Sequence, residues 1–274
     1  LHYPLRRQRQ MCIRDSPDII QSTNAAGGYG VGPRLDVEPF DDINVRKALN
    51  MAIDREAIAN SFFKGTSPPY PSGLITAQYV GYAYAYEDWP QSLKDEYAYN
   101  PDGAKALLAD AGYPNGFKTK MYVSSTQEVE IYEILKAYFD DIGVDTTIEL
   151  MDATALEAFL RGGKLDALAS RGHAHNFSPD RVIDMFYSEG SDQPTSGVND
   201  AVYDQCRNDF FNAATAEEAA KAFQNADKRF IEQHWMVLGV ESSNFNIWDP
   251  GLKGYSGENL HWGMGLEFSR LWKD

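Results

Sequence analysis

"FKTKMYVSSTQEVEIYEILKAYFDDIGVDTTIELM", residues 117–151, decides the fold. Its first eight residues alternate, placing Phe117, Met121 and Val123 on one face, as a half-buried strand requires. Apolar residues then recur at 131, 134, 135, 138, 139 and 142, the spacing of one helix face, and Gly143 supplies the stop. Alternation returns through Val144, Ile148 and Leu150, which are expected to point inward. A strand, a helix and a strand of these lengths predict two parallel strands joined by a crossover.

The flanking sequence extends this α/β pattern. In "VRKALNMAIDREAI" (45–58), Val45, Ala48, Leu49, Ala52 and Ile53 form one helix face. Asp54 reads as the N-cap of a second helix carrying Ile58 and Phe62, which Gly65 ends. Residues 66–99, rich in Pro, Gly and Tyr, read as a long ordered loop. Asn100 and Pro101 open a helix with Ala104, Leu107, Leu108 and Ala111 inside, stopped at Gly112 and Pro114. Asp152 caps a short helix with Leu156, Phe159 and Leu160 inward, and "LDALAS" (165–170) is a buried strand. Ser178 and Pro179 start another helix, Asn199 starts one carrying Val202, Cys206 and Phe210, and Thr215 with Glu218 forms a capping box for a longer one. "WMVLGVES" and "NFNIWD" close as two strands.

Composition excludes several classes of function. The 274 residues can bury a sizeable core, and 43% hydrophobic with 24% charged residues is an ordinary globular balance. A net charge of -15 would repel nucleic acid. No apolar run reaches the roughly 18–20 residues of a membrane span. Residues 1–16, "LHYPLRRQRQMCIRDS", carry four arginines against one acid and lack an apolar leader core. "RQMCIRDS" resembles translated sequencing-adapter sequence, so residues 1–16 are expected to be a non-native leader.

Catalytic patterns do not emerge. G-x-S-x-G, H-E-x-x-H, C-x-x-C and G-x-G-x-x-G are all absent from the sequence. "GGYGVG" (27–32) lacks the Lys-Ser/Thr end of a phosphate loop. In "HAH", His173 and His175 could present two imidazoles on one side of an extended segment, but no third ligand accompanies them, so no metal is expected. Cys206 reads as a small core residue. Aromatic residues in 66–99, 173–187 and 245–272 suit a recognition cleft that stacks on a ligand.

"PFDDINVRKALNMAIDREAI" (39–58) is similar to the most characteristic segment of the oligopeptide/dipeptide-type solute-binding proteins of ABC importers, solute-binding family 5. The matching residues are Pro39, Phe40, Asp42, Val45, Arg46, Ala48, Leu49, Ala52, Ile53, Asp54 and Arg55. "NPDGAKALLADAGYPNGF" resembles the family's second signature, and "GVNDAVYDQ", "AFQNADKRFIEQHWMVLGV" and "FSRLWKD" its C-terminal course. The resemblance covers residues 27–274. It implies an α/β, periplasmic-binding-protein-like (type II) lobe with βαβ units and a mixed sheet flanked by helices. It also implies residues 17–40 as a lead-in on the hinge side and 41–274 as the C-terminal lobe of a two-lobed protein whose N-terminal lobe is mostly outside this chain.

The function implied is that of the binding component of an importer, without catalytic residues, cofactor or metal. It would be a monomer in the periplasm or membrane-anchored outside the cell, passing a small molecule or peptide to a membrane-embedded permease and not touching nucleic acid. The ligand-binding residues expected are Arg171, His173, His175, Asn176 and Phe177, which follow the "LDALAS" strand where parallel α/β sheets bind ligands. Peptide-binding members place an Asp for the peptide's amine in this segment. His175 stands about there, Ser178-Pro179 replaces the usual Asp-Pro, and a neutral imidazole is no anionic partner. The alternative is a secreted or periplasmic hydrolase with a carboxylate pair in an aromatic-lined cleft.

Overall fold

The computed structural model describes residues 19–175, 177–188, 196–255 and 271–273. Residues 1–16 and Asn176 therefore lie outside the described residues. In chain order the elements are β1 (Ile20–Pro33), α1 (Ile43–Met51), α2 (Arg55–Ser61), α3 (Gln91–Tyr97), α4 (Pro101–Asp110), β2 (Phe117–Ser124), α5 (Val129–Asp141), β3 (Val144–Met151), α6 (Ala153–Arg161), β4 (Leu168–His173), α7 (Pro179–Ile183), α8 (Ala201–Asn212), α9 (Ala216–Glu232), β5 (Val237–Trp248), β6 (Leu252–Lys253) and β7 (Trp272–Lys273). They divide into two compact units, one of Leu1–Ala26 with Ser243–Asp274 and one of Gly27–Ser242. In the first, β6 and β7 form a two-residue antiparallel ladder.

The second unit holds the helices around a mixed sheet of order β3-β2-β4-β1-β5. The 117–151 pattern folds as its periodicities require, with β2 and β3 parallel in register from Phe117↔Val144 to Ser124↔Met151. Ile131, Leu135 and Phe139 of α5 are buried among Met121, Val123 and Val144 in the core beneath. The chain then crosses to the other side of β2, where β4 pairs parallel at Met121↔Leu168 and Tyr122↔Ala169 and antiparallel with β1. A second cluster gathers Leu74, Ile75, Phe186, Phe223, Phe230 and Trp235.

Local signals formed as read at most helix starts. Asp54 accepts from the Ala57 amide, Asn100 from Gly103, and Asp152 from Thr154 and Ala155. Thr215 and Glu218 close a reciprocal capping box. Elsewhere the sequence reading is corrected. The expected loop 66–99 ends in helix α3, whose "QSLKDEY" contains neither Gly nor Pro and buries Leu93 and Tyr97 one turn apart. Asp200, not Asn199, caps α8, so Tyr203 takes the buried position and Val202 is turned out at 55% exposure. Leu150 is 57% exposed rather than inward, although it is paired with Val123; it lies on β3, the edge strand of the sheet. Residues 237–248 form one strand rather than two, the polar "SSN" lying inside it. The "LDALAS" strand starts later and extends to His173.

At the sheet's far edge, the outward groups of β5 are met by side chains instead of a further strand. Asn50 Oδ1 accepts from the Leu238 amide (3.0 Å) and its Nδ2 donates to Met236 O (3.0 Å). Arg55 Nε donates to Leu238 O (2.8 Å), and its Nη1 to Tyr97 O (2.6 Å) and Asn50 O (3.1 Å). Arg46 donates to Phe40 O, Asp41 O and Gln233 O. All three side chains are buried, and burial pulls the Arg55 guanidinium down to about 10. Asn50→Ala leaves a buried amide, a carbonyl and part of the Arg55 fork unpaired. It is expected to destabilise the fold by about 2–4 kcal/mol, read as a shift of the urea midpoint with the slope unchanged.

Candidate functional site

Strand β1 presents glycine at alternate positions, and this shapes the site. A side chain at Gly28 would begin 2.2 Å from His173 Cε1, one at Gly30 2.8 Å from Val237 O, and one at Gly32 3.0 Å from Arg171 Cδ. With Gly28 paired to His173 and Gly30 to Arg171, the bare face of β1 is a trench in which these two long side chains lie. "GGYGVG" thus makes room for side chains rather than cradling phosphate. His173 is 1% exposed, its Nε2 lies 3.1 Å from Tyr29 O, and burial, with His175 nearby, pushes its pKa down to about 3.

The next residue breaks the strand's alternation. Ala174, fully buried, adopts φ 48°, a left-handed conformation rare outside glycine. Consequently the two imidazoles of "HAH" do not share a side. The His175 ring lies 3.6 Å from where a Gly172 side chain would begin, across β4 from the trench. It stacks on Phe177 (centroids 5.5 Å apart, planes 15°), and the Arg181 guanidinium sits 4.6 Å from the Phe177 ring centre. Burial, then Arg181, lowers the His175 pKa to about 4. Among the described residues no three His, Cys, Asp or Glu side chains gather as a metal site.

Beyond Ala169 the registered pairing between β2 and β4 stops, and a cavity of about 250 Å³ opens where these parallel strands end. Arg171, Gly172 and His175 line one side, Ser124 and Gln127 the end of β2, and Ala153, Leu156, Glu157 and Leu160 the face of α6. Phe186, Trp235 and Met236 supply further apolar wall. The Arg171 guanidinium is brought down to about 10 by burial, against the pull of Glu157. Gln127 Oε1 is buried without a hydrogen-bond partner.

Of the residues expected from sequence, Arg171 and His175 thus meet at the cavity. Phe177 stands behind His175, and His173 lies in the β1 trench, neither among the described lining residues. Ser124, Gln127, Leu156, Glu157, Trp235 and Met236 were missed. The strand-end rule applied to β2 as well as β4 would have found the first two.

His173 and His175 have native pKa values below the ordinary 6.5, so protons bind the unfolded chain more tightly. The stability each contributes is intact above about pH 6.5. It is lost as pH falls toward 4, by up to about 1.4 kcal/mol per pH unit per ring. NMR titration is expected to find the His173 and His175 rings neutral at pH 5; a transition near 6.5 in either would contradict its burial.

Comparison with known proteins places this architecture. The profile described as "Bacterial extracellular solute-binding proteins, family 5 Middle" matches residues 7–194. Heme-binding protein A of Haemophilus influenzae is 27% identical over 225 residues, 79% of this chain and 40% of that protein. The glutathione-binding protein GsiB of Salmonella paratyphi A is 28% identical over 255 residues, 86% of this chain and 45% of that protein. Among solved structures, the periplasmic binding protein DppA of Helicobacter pylori in complex with peptide STSA superposes with TM-score 0.74 at 20% identity, over 97% of this chain and 51% of that one. HbpA2 of Haemophilus parasuis gives 0.73 at 22% identity, over 90% and 49%. The chain spans about half the length of these relatives. With the sheet, the flanking helices and the profile in agreement, the chain belongs to the family 5 bacterial extracellular solute-binding proteins.

Proposed function

We propose that this chain is part of the substrate-binding component of an ABC importer. In that role it captures a small solute between two lobes outside the cytoplasmic membrane and delivers it to a membrane-embedded permease. The observation that carries this reading is the cavity at the ends of β2 and β4, where Arg171, Gln127 and His175 stand among the apolar walls of Leu156, Leu160 and Trp235. A few polar groups in an apolar recess orient a ligand and hold it without reaction, as a capture protein requires. At about 250 Å³ the recess holds on the order of eight waters' volume, enough for one residue-sized portion of a ligand. Arg171, His173, His175, Asn176 and Phe177 are proposed as this lobe's share of the site. Arg171 and His175 face the solute, while His173 and Phe177 support them from behind. The protein acts as a monomer in the periplasm or anchored at the cell surface.

The relatives' names suggest which solutes to try: heme, glutathione and short peptides. A neutral His175 favours solutes that need no anionic partner for an amine. Calorimetry of the complete protein against glutathione, heme and the tetrapeptide Ser-Thr-Ser-Ala is expected to find a saturable ligand that is recovered unchanged. Arg171→Ala and His175→Asp are each expected to weaken it on the order of ten-fold or more, about 1.4 kcal/mol. Hydrolysis of the bound solute would overturn the binding role, and unchanged affinity in both variants would remove this cavity from it.

A further inference from the structure

A buried carboxylate, absent from the cavity's described lining, bonds to the loop that leads to its wall. Asp227 lies on the apolar face of α9 beside Ala226, Phe230 and Phe223, fully buried. Among the described residues it has no cation within ion-pair distance; its partners are main-chain amides. Oδ1 accepts from Leu74 N (2.7 Å) and Oδ2 from Tyr84 N (2.8 Å), so one carboxylate closes the loop between these residues. The approach is so close that a side chain at Gly73 would begin 2.0 Å from Oδ1. Burial pushes the carboxyl up to about 7 while the two amide bonds pull it down, and each oxygen is already committed to a donor.

The loop segment that Asp227 grips is bonded in turn to the start of the cavity wall. Gly73 O accepts from Ala174 N (2.8 Å), Leu74 O from His175 N (2.7 Å), and His175 O from Thr76 N (3.0 Å), with Ile75 bridged parallel to His175. Residues 73–76 therefore act as a short extra strand against 174–175. These bonds meet at Ala174, a buried alanine held in the left-handed conformation, a state that persists only when its surroundings impose it. Past this turn the His175 ring lies beside Gly172, on the opposite face of β4 from His173, and lines the cavity.

We propose that Asp227 is a positioning residue for the ligand site, acting through the main chain of Gly73–Thr76 to hold the turn at Ala174 and aim His175 into the cavity. The importance of His175 rests on the cavity being the ligand site, but the test below uses no ligand. It therefore fails separately from that reading, which stands or falls on the Arg171→Ala titration.

The variants are Asp227→Asn, whose amide nitrogen cannot accept the second amide, and Asp227→Ala, which removes both acceptors. The readouts are amide exchange at residues 74, 84, 174 and 175, with Thr119 and Ile148 of the β2–β3 pair as controls, and NMR titration of the imidazoles of His173, His175 and His234. The expected result is exchange at least ten-fold faster at all four sites with the β2–β3 amides unchanged. The His175 pKa should rise from about 4 toward 6.5 while His173 stays neutral. If Asp227→Ala fails to fold, Asp227→Asn carries the test. Faster exchange at 74 and 84 alone, with 175 and its ring unmoved, overturns the proposal, because Asp227 then holds only its own loop. Equal acceleration at Thr119 and Ile148 also overturns it, because Asp227 is then a general stability residue.

Discussion

An edge strand must place its outward amides and carbonyls somewhere, and here Asn50 and Arg55 receive those of β5. Asn50 offers one acceptor and one donor at the spacing of a strand neighbour, and Arg55 extends the pairing to the next carbonyl. The two helices carrying these residues are thereby locked to the sheet through hydrogen bonds as well as through Val45, Leu49 and Ile53. The arrangement also brings Trp235 and Met236, the residues entering β5, to a fixed place on the cavity wall. A segment that reads as two plain amphipathic helices therefore carries a buried polar face whose work is to finish the sheet.

The sheet's order turns that finished edge into a site. Crossing from β3 over β2 to β4 leaves the ends of two parallel strands open to solvent-sized space, the usual place for a ligand in such folds. The glycines of β1 let Arg171 and His173 lie flat against a strand, so long polar side chains occur within the sheet layer without forcing it apart. The Arg171 guanidinium sits beside an apolar recess within the field of Glu157, which opposes the cost of its burial.

Most of this architecture was legible in the sequence because local chemistry and global fold agree. The βαβ unit followed from periodicity, and the caps at Asp54, Asn100 and Thr215 followed from the oxygen each offers to free helix amides. Errors arose where one signal hid another. The aromatic and proline content of 66–90 masked the plain helix after it, and Asn199 was chosen over Asp200 although either side chain can cap. The site was half legible. Arg171 and His175 follow from strand-end logic, but the separation of His173 from His175 depends on one backbone angle at Ala174, which no side-chain pattern announces. The roles of Asn50 and Asp227 likewise depend on partners more than 140 residues away in the chain.

The left-handed turn at Ala174 divides the chain into two grammars of variation. Upstream, β4 is bound to its register with β1, where slipping by one residue would exchange every inward side chain for an outward one. Downstream, that in–out code no longer applies, so a change of chemistry at His175, which lines the cavity, or at Phe177, on which its ring stacks, leaves the sheet's spelling intact. A lineage could alter the chemistry of the cavity wall by editing a letter or two after this turn, with the scaffold's own text unaltered.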